Sequence, residues 1–155
     1  MLMLGLALPA ALPAADPTNI SVSPQTLSFQ SSDPDSSPAT ATASVTWSVW
    51  FGSGSWNLSV RANSSTLANC PAVPVSAIRV RCASVSVGGI PAGSGTCAQP
   101  FLLTTTSQKV AAGTQGRIFA NYAISIIYEF TDSWKYRGAT SPPCSLTLTY
   151  AIYVQ

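Results

Sequence analysis

Ala41-Thr42-Ala43-Ser44-Val45-Thr46-Trp47-Ser48-Val49-Trp50 is the stretch that decides the fold class. Ala41, Ala43, Val45, Trp47 and Val49 occupy every second position, and Thr or Ser fills the positions between. Successive side chains of a β-strand point to opposite faces, so this period of two describes a long strand with one face buried. Trp47 shares the apolar face and reads as core; Trp50 is out of phase with it. Gly52-Ser53-Gly54-Ser55 follows as a turn, and Trp56, Leu58 and Val60 then alternate with Asn57, Ser59 and Arg61. Two alternating runs around a short Gly-Ser connection are expected to form a hairpin.

Downstream the same grammar repeats. Ile78, Val80 and Cys82 alternate with Arg79 and Arg81, and Val85 and Val87 continue with the register flipped. A flip inside a strand marks a bulge or an edge crossing. Phe101-Leu102-Leu103 opens another strand, and Lys109 to Ala112 leads into turn residues 113–116. Residues 118–130 hold Phe119, Tyr122, Ile124, Ile126, Ile127, Tyr128 and Phe130 with no Gly or Pro. Their length allows a helix, but β-branched and aromatic residues favour a strand. In the last segment, Leu146, Leu148, Tyr150, Ile152 and Val154 share one face.

Upstream, Ile20-Ser21-Val22 and Thr26-Leu27-Ser28-Phe29 are short β-like pieces separated by Pro24, which suits an edge strand or a switch between sheets. Residues 31–38 read as a loop. With little helical signal, about seven strands and long connections, the expected architecture is an all-β, immunoglobulin-like Greek-key sandwich. Residues 39–155 would be the sandwich core, and residues 16–38 an N-terminal strand and linker.

Residues 1–15 read as a signal-peptide-like segment. Residues 1–12 are almost wholly apolar, and Leu12-Pro13-Ala14-Ala15 puts small residues before Asp16, although a positive n-region is missing. The competing reading is a buried N-terminal helix. No later run reaches 18 apolar residues, so no membrane span is expected. An even set of cysteines (Cys70, Cys82, Cys97 and Cys144) behind an export signal favours two disulfides in a secreted or cell-surface protein. Three pairings are open. Cys82 and Cys97 flank a Gly-rich stretch and make a plausible short closure, which leaves Cys70 with Cys144. Zinc is the competing reading, but the gaps are wide and the chain has no histidine.

Chemistry is sparse. Only 8% of the 155 residues are charged, the net charge is +2, and Lys and Arg do not cluster as a nucleic-acid surface requires. Without histidine there is no Ser-His-Asp or Cys-His arrangement. Glu129 and Asp132 do not make a paired-carboxylate site in extended chain and are expected to face solvent or to pair with Lys135 or Arg137. No phosphate loop or cofactor motif occurs. The expectation is a chain that is not an enzyme and binds no cofactor or metal. Sequons stand at Asn19, Asn57 and Asn63 and matter only on a eukaryotic secretory route. Trp50, Trp134 and Tyr136 either cover the ends of the sandwich or stack on a carbohydrate or partner surface.

Three stretches carry a resemblance: Val22-Ser23-Pro24 through Phe29, Trp56-Asn57-Leu58-Ser59-Val60, and the closing Cys144-Ser145-Leu146-Thr147-Leu148-Thr149-Tyr150. Together they resemble secreted bacterial β-sandwich proteins of the WxL, spore-coat-protein-U and fimbrial-subunit types, loosely and over most of the mature chain. The Trp-x-Leu element of the WxL type is present once, at Trp56. The resemblance implies surface assembly in which a strand of one subunit completes the sheet of the next, giving a homo-oligomer or filament. Independently, an N-terminal strand on a Ser/Asp/Pro linker can leave its own domain cheaply, because loop entropy grows slowly with length. Ile20, Val22, Leu27 and Phe29 are the candidate assembly residues; the other reading makes them the first strand of their own sandwich. The alternative function is a carbohydrate- or ligand-binding module.

Overall fold

The computed structural model describes residues 16–29, 38–133 and 143–155. The signal-like segment, most of the 31–38 loop, and Trp134, Lys135, Tyr136 and Arg137 lie outside the described residues. Among the described residues, the strands are β1 (Thr18–Ser23), β2 (Thr26–Phe29), β3 (Ala39–Phe51), β4 (Ser55–Ala62), β5 (Thr66–Leu67), β6 (Cys70–Pro74), β7 (Ile78–Val87), β8 (Ser94–Cys97), β9 (Phe101–Leu102), β10 (Gln108–Thr114), β11 (Ile118–Phe130) and β12 (Cys144–Val154). A single 3-10 turn, Val75–Ala77, precedes β7. One five-stranded sheet runs β1-β3-β11-β7-β9, the other β2-β12-β4-β10-β8, and β5-β6 form a small hairpin. Every described pairing between strands is antiparallel. The fold is an all-β sandwich. It has more strands than the seven expected, because β5, β6, β8 and β9 are only two to five residues long and carry no apolar period of two.

The alternation of β3 is realised: Ala43, Val45, Trp47 and Val49 are buried and Trp50 is exposed. The expected hairpin is not. β3 pairs with β1 and β11, whereas β4 pairs with β12 and β10, so the Gly-Ser connection is an arch from one sheet to the other. The reason is visible at the tryptophans. Both runs carry a large inward indole, and opposing sheets let Trp47 and Trp56 meet edge to face at 5.4 Å across the core. Tyr122 of β11 stacks on Trp47 at 4.6 Å and completes the cluster. The arch is tight: a Cβ on Gly52 would meet the Gly116 carbonyl oxygen at 2.3 Å.

The register flip in β7 is a bulge. Ser125 faces Ser84 and Ile126 faces Cys82, so Ala83 is the extra residue. Glu129 departs from expectation. It sits opposite the β7 arginines and accepts a 2.7 Å hydrogen bond from Arg81 Nε.

Cystines bind the layers. Cys82–Cys97 links β7 of one sheet to β8 of the other, and Cys70–Cys144 ties the β5-β6 hairpin to the start of β12. The opposite flank is closed by the N-terminal strands. β1 lies along β3 in the first sheet, and β2 along β12 in the second. Pro24 stands at the crossing, as a switch between sheets requires. Leu27 and Phe29 are core residues of their own chain, each 1% exposed, while Ile20 is 56% exposed and Val22 half-buried.

Candidate functional site

Two features of the sandwich are unspent. The first is an edge. Ser55 and Gln155 exchange both backbone hydrogen bonds. An antiparallel ladder alternates with a period of two, so Tyr153, Ala151 and Thr149 also turn their N–H and C=O toward β4. Tyr150, Ile152 and Val154 therefore turn theirs the other way, onto the flank that β2 covers. But β2 pairs with β12 only from Cys144 to Thr147, and the last bond on that side runs from the Leu148 N–H to the Gln25 carbonyl at 3.4 Å. Among the described residues, no strand pairs with residues 150–154 on that side. Their inward side chains report the same gap. Leu146 and Leu148 are buried, whereas Tyr150, Ile152 and Val154 are only half-buried. The edge carries no charge, Pro or Gly to deter pairing.

Tyr150 reaches inward to Tyr128, with hydroxyl oxygens 2.8 Å apart. Burial pushes the Tyr150 phenol up to about 12, partly offset by the bond to Tyr128. Burial, together with the charge and hydrogen bond of Tyr150, pushes Tyr128 further above the usual phenol range. A phenol raised in the folded state binds its proton more tightly there than in the unfolded chain. The stabilisation is complete below the ordinary pKa of 10.0 and is lost as pH climbs through about 12. The urea midpoint should accordingly fall between pH 10 and 12, and fall less in Tyr150→Phe. A flat profile over that window would contradict the buried pair.

The second feature is a groove on the outer face of the β1-β3-β11-β7 sheet. Its aromatic end is a cavity of about 220 Å³ lined by Asn19, Ser48, Val49, Trp50, Phe119 and Asn121. A wider stretch of about 490 Å³ adjoins it, sharing Asn19, Ser48 and Asn121 and extending to Thr46 and Ser86. Trp50 and Phe119, both more than half exposed, meet edge to face at 4.9 Å. The Ser48 hydroxyl donates to Asn121 Oδ1 at 3.0 Å. Among the described residues, none that lines either stretch is charged.

Of the sequence-derived candidates, the four cysteines form the two cystines, Trp50 lies in this groove, and Trp134 and Tyr136 are outside the described residues. Ile20, Val22, Leu27 and Phe29 stand on the flank beside the open edge, all within their own sandwich. Phe119, Asn19 and Asn121 were missed. Strand phase alone turns Phe119 and Asn121 outward, but only the β3-β11 register brings them to Trp50. Among the described residues, no three His, Cys, Asp or Glu side chains gather where a metal could be held. No described helix is long and apolar enough to cross a membrane. In comparisons with known proteins, no protein-family model, curated protein or solved structure matches the chain.

Proposed function

We propose that the chain is a non-catalytic structural subunit of an extracellular or cell-surface assembly, joined to its neighbours by strand pairing. The observation that carries this reading is the flank of β12 at residues 150–154 that faces away from β4, where no described strand pairs and apolar side chains are half-covered between the sheets. An added strand would satisfy the free backbone groups and bury Ile152 and Val154, which is how extended segments bind open sheet edges. Two cystines, low charge and the resemblance to fimbrial subunits point to the same setting. A partner strand supplied head to tail does not close on itself, so the assembly would grow as a filament.

The donor is the N-terminal segment of a neighbouring copy, and β1 is the part of it free to exchange. Withdrawing Leu27 and Phe29 would expose two core side chains at about 1.5–3 kcal/mol each. Releasing β1 exposes much less, because Ile20 is already outside and Val22 only half-covered. β1 would give up one short ladder on β3 and form another on a neighbour's β12. The gain is the burial of Ile20 and Val22 beside Ile152 and Tyr150.

Sedimentation velocity of the chain from Asp16 to Gln155 tests this. Oligomers that lengthen with concentration are expected. Ile152→Pro should remain monomeric and folded, because the N–H it removes faces the open side and not β4. Deleting residues 16–23 should also abolish assembly, and a peptide of those residues should bind the shortened chain. A chain that stays monomeric at high concentration, with a peptide no better than its scrambled control, would overturn the reading.

A further inference from the structure

We propose that the groove holding Trp50 and Phe119 is a binding site for a neutral carbohydrate chain. The groove shares Asn19 of β1 with the strand-pairing reading, but Ser48, Trp50, Phe119 and Asn121 stay on β3 and β11 whichever sheet β1 joins. A pyranose ring has an apolar C–H face and a rim of hydroxyls, and each has its counterpart here. Trp50 and Phe119 offer exposed rings set at 64° to one another, a corner against which one sugar face can lie. Asn19, Asn121 and Ser48 supply amide and hydroxyl groups that both donate and accept, as a sugar hydroxyl requires. Among the described residues the lining holds no charge, so it has no ion pair to offer a phosphate, a carboxylate or an ammonium group.

Size fits the same ligand. The aromatic end, at about 220 Å³, is below the ~300–1,000 Å³ of drug-sized sites and takes a single ring. The adjoining polar stretch, with Thr46, Ser48, Ser86 and Asn121, continues from it and accommodates further rings.

The backbone gives a separate reason to regard the groove as built. Phe119 has φ 51°, in the left-handed region that a bulky side chain avoids, and Asn19 has φ 53°, which asparagine adopts more readily. Both line the aromatic cavity, and among the described residues Asn69 is the remaining non-glycine with positive φ. Such conformations persist where the surrounding structure imposes them, and they gather at ligand clamps. A bulky aromatic in this conformation holds its ring against Trp50 at the expense of local stability.

Titration of the isotope-labelled chain with neutral tetrasaccharides, built from glucose, xylose, mannose or N-acetylglucosamine, reads this out by nuclear magnetic resonance. At least one should shift the Trp50 indole N–H and the Asn19 and Asn121 side-chain amides, leaving the buried Trp47 and Trp56 indoles unmoved. Trp50→Ala should weaken the response by about tenfold, the loss of one ring contact. Phe119→Gly should weaken it similarly without lowering the denaturant midpoint, because glycine adopts positive φ freely. Ile152→Pro should leave it intact. The proposal is overturned if no tetrasaccharide shifts these signals, if the shifts survive Trp50→Ala undiminished, or if only a nucleoside or an apolar peptide produces them.

Discussion

Trp47→Ala is expected to destabilise the domain by about 3–5 kcal/mol, the usual size for emptying a core aromatic site. Trp47 is 2% exposed, stacks on Tyr122 at 4.6 Å and meets Trp56 at 5.4 Å, so two rings lose a neighbour at once. Trp50, one strand position from the buried Val49 and 59% exposed, is the internal control, and its alanine variant should cost less than about 1 kcal/mol. A sharper contrast separates the two core indoles. Trp56 Nε1 donates to the carbonyls of Ser94 and Thr114, each at 3.1 Å, and so fastens β8 and β10. Trp47 Nε1 is buried with no hydrogen-bond partner among the described residues. Replacing each with Phe removes similar volume, but at Trp56 it also deletes a made bond, whereas at Trp47 it removes an unmet donor. Trp56→Phe should therefore be the more damaging by about 1 kcal/mol or more in urea unfolding. Equal losses would mean that the two indoles are equally well satisfied.

The long strands were legible because each buries a single face over many residues. Trp47, Val49, Leu58, Tyr122 and Leu146 all fall on the side that the period of two assigns them. The flip after Cys82 was legible as a bulge or an edge crossing, and the register decides for the bulge, because one extra residue reverses every later side chain. What did not follow was partnership. Nothing local in residues 39–62 says whether β3 and β4 share a sheet or face one another, since the pairing partners of β3 come from residues 18–23 and 118–130. The short strands were hidden for another reason. β8 is Ser94-Gly95-Thr96-Cys97, with no apolar period to read, and it is a strand because β10 pairs with it and Cys97 anchors it to Cys82. The grooved face suffers from both limits. Trp50 could be singled out by phase, but Phe119 and Asn121 become its neighbours only through the β3-β11 register, and Asn19 only through β1.

Removing Cys70–Cys144 is expected to destabilise the chain more than removing Cys82–Cys97. The two cross-links span 74 and 15 residues of sequence. If a cross-link acts chiefly by restricting the unfolded chain, the longer loop contributes about 4.5 kcal/mol and the shorter about 3 kcal/mol. Burial adds to the difference in the same direction. Cys70 and Cys144 are 4% and 2% exposed and belong to the core, while Cys82 is half-buried and Cys97 exposed. Alanine at the first pair would thus leave space between the β5-β6 hairpin and β12, and at the second pair almost none. The hairpin has a further dependence on its cystine. It joins the sheets through an isolated bridge between Ala68 and Ser145, next to Cys144, and β5 and β6 are too short to hold a register alone. Urea unfolding of the double variants Cys70→Ala/Cys144→Ala and Cys82→Ala/Cys97→Ala should separate them by about 1.5 kcal/mol or more. Hydrogen exchange should locate the first loss in residues 66–74 and at the start of β12, the strand whose far half is the open edge. If the two double variants unfold at the same urea concentration, the cross-links do not act through loop length, and the hairpin is held by its packing alone.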